Sequence, residues 1–181
     1  MSASPNNRDF DPDDNFAQSF HPQSEDLDED AALESVVWQF LLLINPGDED
    51  AAAAQFAEVR EALVADAEPL EAIRAAIDWK SGFFTAESDL EGLVESVDEL
   101  SARVGVRIDW EIDDEADEPF ADEDATSLLQ RAAVQLREHG YTLWSLETGT
   151  EMVAGWIAQR ADDEAVPTVA GALGFHARAG V

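Results

Sequence analysis

Hydrophobic positions recur at intervals of three and four residues through much of the first half of the chain. This spacing predicts amphipathic helices over residues 31–44, 50–64, 68–76 and 88–104. The last of these has the clearest start, because Ser88 followed by Glu91 three residues later forms a capping-box pattern. Between the third and fourth helices, residues 78–85 contain enough aromatic residues to predict a strand with a bend at Gly82.

Strict alternation replaces the helical period at residues 106–112. Val106, Ile108 and Trp110 fall on one face, which predicts a strand that is buried on that side and solvated on the other. The polar face carries Arg107, Asp109 and Glu111. After an acidic stretch, residues 124–139 again have the helical period and end at Gly140.

The C-terminal third predicts a hairpin, a helix and a last strand. Strands over residues 141–146 and 152–159 flank a turn at Gly149, and Gly155 beside Trp156 indicates that a neighbouring backbone or ring packs closely there. A helix ending at Gly174 precedes a short strand over residues 175–179. Together with strand 106–112 and its helix, the order is βαββαβ, which is typical of a ferredoxin-like fold.

We therefore predict an α+β protein with a ferredoxin-like core extended by one strand-helix unit. Residues 1–30 combine acidic residues, Asn, Ser and Pro with few aliphatics, and are expected to form a disordered tail. Residues 31–77 are expected to form a helical segment packed on the core, and residues 78–181 the core itself.

The charge of the chain is its most unusual property. There are 41 acidic residues against 10 basic ones, a formal net charge of −31. Such a surface repels nucleic-acid backbones and anionic membranes, so neither is expected as a partner, whereas a basic protein is favoured. Two other interpretations remain open, namely that the acidity serves solubility alone or is an adaptation to a salt-rich cytoplasm.

Several classes of chemistry lack their usual sequence signals. The chain has no cysteine, its N-terminus does not resemble a secretory signal, and no apolar run is long enough to span a membrane, so a cytoplasmic location is expected. The acidic runs lack the ligand spacing of a calcium loop, and the three histidines are far apart in sequence. No metal, cofactor or catalytic residue is predicted.

Partner contacts are the only site prediction that the sequence supports. Trp144 shares a strand face with Thr142, and if exposed it would be an interface anchor. Acidic contacts are expected in and after the alternating stretch, and His176 on the last strand is a further candidate. The predicted acidic contacts are Asp109, Glu111, Asp113, Asp114 and Glu115.

The runs LREHGYTLW at residues 136–144, AGWI at 154–157 and AGALG at 170–174 resemble an uncharacterised bacterial family. That family is a domain of unknown function in small acidic proteins of proteobacteria, and the resemblance implies no activity. Residues 128–175 are also similar to the acidic ribonuclease E inhibitor family. This second resemblance implies a ferredoxin-like fold and a role as a protein inhibitor, although the acidic C-terminal tail of that family is absent here.

These observations lead to three functional hypotheses. The first is a non-enzymatic, acidic module that binds a basic protein, as an inhibitor or an immunity protein does. The second is a small-ligand-binding or hydrolytic enzyme that uses the polar face of Arg107, Asp109 and Glu111, where the two carboxylates would lie about 7 Å apart. The third is a structural accessory domain whose charge only maintains solubility.

Overall fold

The computed structural model describes residues 21–78, 80–112 and 119–180. The chain divides after Ser35 into two compact units. Within the described residues the helices are α1 (His21–Ile44), α2 (Glu49–Val64), α3 (Pro69–Ala76), α4 (Leu90–Arg103), α5 (Ala125–Glu138) and α6 (Ala165–Ala172). The strands are β1 (Phe83–Ala86), β2 (Tyr141–Leu146), β3 (Met152–Gln159) and β4 (Ala177–Ala179). This inventory confirms the α+β class.

The four strands form one antiparallel sheet in the order β1-β3-β2-β4. The predicted hairpin is present, with Trp144 of β2 directly opposite Trp156 of β3. The predicted close approach at Gly155 is also present. A Cβ atom on Gly155 would overlap the carbonyl oxygen of Trp144 and lie 2.8 Å from the ring of Phe83, so the pairing of three strands requires glycine here.

The strand predicted over residues 106–112 is wrong, although the alternation that suggested it is real. Val106, Ile108 and Trp110 are buried while the residues between them are exposed, yet the segment pairs with none of the strands in the described residues. Its buried side chains belong to a core cluster shared with α4 and α5. The alternating burial therefore results from the packing of every second residue against α4 and α5. Such packing gives the same alternation as a strand in a sheet.

The predicted βαββαβ core is not confirmed. Its first strand lies outside the sheet, and β1 occupies the position beside β3 instead. β4 pairs with β2 at the opposite edge, through Ser145 opposite Arg178 and Leu146 opposite Ala177.

Two predicted helix starts also need correction. Helix α1 begins at His21, so residues 21–30 are helical where a tail was expected, and residues 1–20 of that tail lie outside the described residues. The Ser88 capping box does not form. Asp89 is the N-cap of α4, because its carboxylate accepts a 3.0 Å hydrogen bond from the backbone N–H of Gly92.

The sheet of the larger unit is covered on both faces. Leu143 and Ile157 point towards α4 and α5, and the residues after them, Trp144 and Ala158, point to the other side. On that side Trp156 meets Phe40 of α1 edge to face at 5.0 Å and Phe175 at 5.7 Å. Phe40 and Phe175 in turn stack at 5.2 Å, so three aromatic rings close this face of the sheet.

A buried polar network lies where α1, α2 and the turn before β1 meet. Asn45 donates to the side-chain oxygen of Gln55 at 2.8 Å, Gln55 donates to Ser81 at 2.7 Å, and Ser81 donates back to Asn45 at 2.6 Å. All three residues are almost fully buried. Because each polar group has a partner, the network fixes the relative positions of these segments without leaving buried groups unsatisfied.

Candidate binding groove

A long concave feature of the described residues runs along residues 105–112 beside α4. This α4 groove has a volume of about 960 Å³ and is open to solvent along its length. Its apolar lining includes Val94, Ile112 and Phe120. Its charged lining consists of Asp98, Arg107, Asp109 and Glu111. The groove thus combines an apolar surface with three carboxylates and a single cation among its described lining residues.

A second, shallower groove lies on the other side of the same segment, against α5. This α5 groove has a volume of about 560 Å³ and shares Asp109 and Glu111 with the first. Its helical wall presents one exposed stripe of α5, in which Val134 is 62% exposed. The stripe contains Ser127, Gln130, Arg131, Val134 and Gln135. Residues 106–112 therefore lie between two grooves.

A glutamine side chain holds the segment against α5. Gln135 accepts a hydrogen bond from the backbone N–H of Asp109 and donates one to its carbonyl oxygen, both at 2.8 Å. This two-bond exchange is what a residue on a neighbouring antiparallel strand would make. The side chain of Gln135 therefore replaces one residue of a strand partner at this position.

Arg131 provides the second attachment. Its guanidinium pairs with Glu123 at 3.0 Å and with Glu111 at 3.6 Å, and it donates to the carbonyl oxygen of Trp110. These contacts neutralise the positive charge of Arg131, which would otherwise reduce the negative charge at the border of the α5 groove. The backbone of Glu111 has a positive φ of 53°, and the carboxylate of Asp109 accepts a hydrogen bond from its N–H at 3.1 Å.

Asp98 is the perturbed carboxyl of the α4 groove. Burial raises its pKa, while a 2.9 Å hydrogen bond from the indole N–H of Trp110 and the charge of Arg107 act in the opposite direction. A half-buried carboxylate in a groove favours a cationic neighbour, because the opposite charge offsets part of the cost of desolvating the carboxylate.

The structure brings together only part of the predicted site. Asp109 and Glu111 are exposed and line both grooves. Trp144 is 4% exposed, so the condition for its role as an interface anchor is not met and its ring belongs to the core. His176 is exposed beside β4, outside the lining of either groove. Asp113, Asp114 and Glu115 lie outside the described residues.

Sequence analysis missed Asp98, Arg131 and Gln135. Each occupies a polar position of an amphipathic helix, where a solvated side chain is the usual expectation. Only the spatial position of residues 106–112 gives them a role.

Among the described residues, no group of three His, Asp or Glu side chains is arranged to hold a metal ion.

The paired-carboxylate interpretation of Asp109 and Glu111 receives no geometric support. The Asp109 carboxylate accepts from the backbone of Glu111, and the Glu111 carboxylate pairs with Arg131. Each acid therefore has its own partner, Asp109 on the main chain of the segment and Glu111 on α5. No helix in the described part of the chain is both long and apolar enough to cross a bilayer.

Comparison with known families identifies the chain at the level of the domain. Residues 36–180 match the family described as Domain of unknown function (DUF6630). The chain belongs to this family. The DUF6630 domain thus contains the whole sheet, both grooves and helices α2 to α6. No curated protein and no solved structure matches the chain.

Proposed function

We propose that this DUF6630 domain is a non-enzymatic module that binds a basic protein in the cytoplasm through the α4 groove, as an inhibitor or an immunity protein does. The observation that carries the proposal is the composition of the groove. Asp98, Asp109 and Glu111 border an apolar surface that is open along its length. Apolar contact area surrounded by carboxylates suits a partner that presents aliphatic and cationic side chains together.

The distribution of cations supports this preference. Five arginines in the described residues already pair with carboxylates: Arg74, Arg103, Arg131, Arg137 and Arg178. Their charge is therefore largely balanced within the fold, and the overall excess of acidic residues is left to face other molecules. Electrostatic steering would make the association fast and sensitive to salt.

Comparative affinity capture tests the proposal. The bait proteins are the wild type, a groove variant (D98N/D109N/E111Q) and a control variant that loses the same charge from α2 and the residues after it (E58Q/E61Q/E68Q). The control residues are exposed and line neither groove. We expect one basic protein to be recovered stoichiometrically from native lysate at low salt by the wild type and the control, and to be lost with the groove variant. Recovery of no stoichiometric partner, or equal recovery by all three baits, would overturn the proposal.

A second candidate is a small-ligand-binding or hydrolytic role, favoured by the presence of Asp98 and Arg107 in one groove. A raised carboxyl pKa beside a cation is an arrangement also found in ligand sites. Chemical-shift mapping with a library of small metabolites distinguishes the two. Saturable shifts confined to Asp98, Arg107 and Trp110 would favour this candidate over protein binding.

A further inference from the structure

Residues 106–110 resemble a sheet edge that is only partly paired. The residues between Gly105 and Glu111, which both have positive φ, are alternately buried, and at Asp109 a side chain from α5 supplies the two hydrogen bonds of a strand partner. Among the described residues, the backbone N–H and C=O of Ile108 have no hydrogen-bond partner, and Ile108 lines the α4 groove. A strand presents the main-chain groups of successive residues to opposite edges, so Ile108 faces the edge opposite to that held by Gln135.

The α4 groove follows this edge. The N–H of Val106 there donates to the carbonyl oxygen of Ser101, and the carbonyl oxygen of Trp110 accepts from Arg131, so Ile108 is the residue of this edge whose two main-chain groups both lack a partner among the described residues. The groove is lined by every residue from Gly105 to Ile112, and the five residues between Gly105 and Glu111 would span about 17 Å at about 3.3 Å per extended residue. Its volume of about 960 Å³ leaves room for an extended chain beside the segment. Unpaired main-chain groups along an open groove are what strand addition requires, because main-chain hydrogen bonds supply affinity and alternate side chains supply specificity.

The charges along the groove select the kind of chain. Asp98 on α4 and Asp109 and Glu111 on the segment present carboxylates, whereas Arg107 is the only cation among the described lining residues. Val94, Ile112 and Phe120 provide apolar contacts. An extended peptide in which basic and aliphatic side chains alternate would direct the basic ones to the carboxylates and the aliphatic ones to the apolar wall.

We infer that the α4 groove binds an extended, cationic segment of a basic partner protein by adding it as a strand along residues 106–110, with main-chain hydrogen bonds to Ile108. This inference rests on the proposed function and specifies its binding mode. Strand addition requires both the carboxylates and the backbone of Ile108. The docking of a folded basic surface would require only the carboxylates.

Two synthetic octapeptides separate main-chain pairing from charge. The first is an alternating lysine-valine peptide with blocked ends, and the second is the same peptide methylated on every backbone nitrogen, which keeps the charge and removes the main-chain donors. Titration calorimetry measures affinity, and NMR hydrogen exchange measures the protection of the Ile108 amide. The wild type, D98N/D109N/E111Q and E58Q/E61Q/E68Q are compared at low salt.

Strand addition predicts that the unmethylated peptide binds the wild type and the control at least about tenfold more tightly than the methylated peptide does, and that it slows exchange at Ile108 by at least about tenfold. The groove variant is expected to lose this binding. Equal affinity of the two peptides with unchanged exchange at Ile108 would overturn strand addition while leaving charge-based protein binding in place. Failure of both peptides to bind, when a captured basic protein binds, would also overturn it. Failure of every basic protein to bind would instead refute the proposed function.

Discussion

The two faces of the sheet differ in how completely they are closed. On the face covered by α1 and Phe175, three aromatic rings fill the space, and Trp156 is 1% exposed. On the other face, α4 and α5 pack on the sheet largely through aliphatic side chains, and Val106, Ile108 and Trp110 join the same core cluster. Open grooves remain on both sides of residues 106–112.

This difference separates the parts of the chain that stabilise the fold from those available for binding. Where side chains interdigitate fully, as around Trp156, each residue contributes strongly to stability and none is free to contact a partner. Where a segment is buried only through alternate residues, its remaining polar groups and main chain stay accessible. The predictions below test this contrast, from the largest expected effect to the smallest.

Truncation of the aromatic cluster should have the largest effect. Replacing Trp156 with alanine removes a fully buried ring that contacts Phe40 and Phe175, so we expect W156A to lower the free energy of unfolding by about 4 kcal/mol. Urea denaturation followed by circular dichroism measures the change. F84A is the matched control, because Phe84 is 69% exposed on the edge strand and should change stability by less than about 0.5 kcal/mol. Similar losses of unfolding free energy in W156A and F84A would contradict the proposed contrast between the closed face of the sheet and its exposed edge.

The buried polar network should respond next. Q55L keeps the volume of Gln55 but leaves the side-chain amide of Asn45 without one of its acceptors in a site that is 2% exposed. We expect a loss of about 2 kcal/mol, since a buried donor without a partner retains its desolvation cost. Q39L, at an exposed position of α1, serves as the control. An unchanged urea midpoint for Q55L would show that the network contributes no net stability.

Two carboxylates should respond to pH with opposite signs. The backbone N–H of Ala51 and then Arg103 lower the pKa of Asp48, so Asp48 stabilises the fold above its unfolded pKa of 3.8, and this contribution is lost as pH falls through the lowered value. D48A should therefore cost about 1 kcal/mol at pH 7 and less in acid. Burial raises the pKa of Asp98, so its charged form costs free energy at neutral pH and that cost disappears below 3.8.

D98N is thus expected to raise stability slightly at pH 7, because asparagine can still accept the hydrogen bond from Trp110, and to have no such effect in acid. Thermal unfolding across pH measures both variants. A loss of stability in D98N at pH 7 would show that the carboxylate serves the fold and not the groove.

Sequence patterns predicted the helices and the hairpin well, because these depend on local period and on turn residues. Gly140 and Gly149 adopt positive φ at the turns where they were expected, and Gly155 sits at the predicted close approach. The α+β class followed from these elements. The order of the strands in the sheet did not follow from them. Whether β1 or residues 106–112 lie beside β3 depends on contacts between residues that are far apart in sequence.

The candidate site was predicted only in part for the same reason. Asp109 and Glu111 were identified as an acidic polar face, and both border the grooves. Asp98, Arg131 and Gln135 carry no sequence signal, since a polar residue on an amphipathic helix is expected to face water. Trp144 was ambiguous in an alternating strand, and the coverage of both sheet faces decided that it is buried.

The central claim is that the position of the acidic residues, and not their number, determines binding. The most direct test is the dissociation constant of a captured basic partner for D98N/D109N/E111Q and for E58Q/E61Q/E68Q, measured at about 50 mM and about 500 mM NaCl. We predict that the groove variant binds at least about tenfold more weakly than the control at low salt, and that the difference narrows at high salt. Equal weakening of the two variants would contradict the claim, because it would show that total charge governs the interaction.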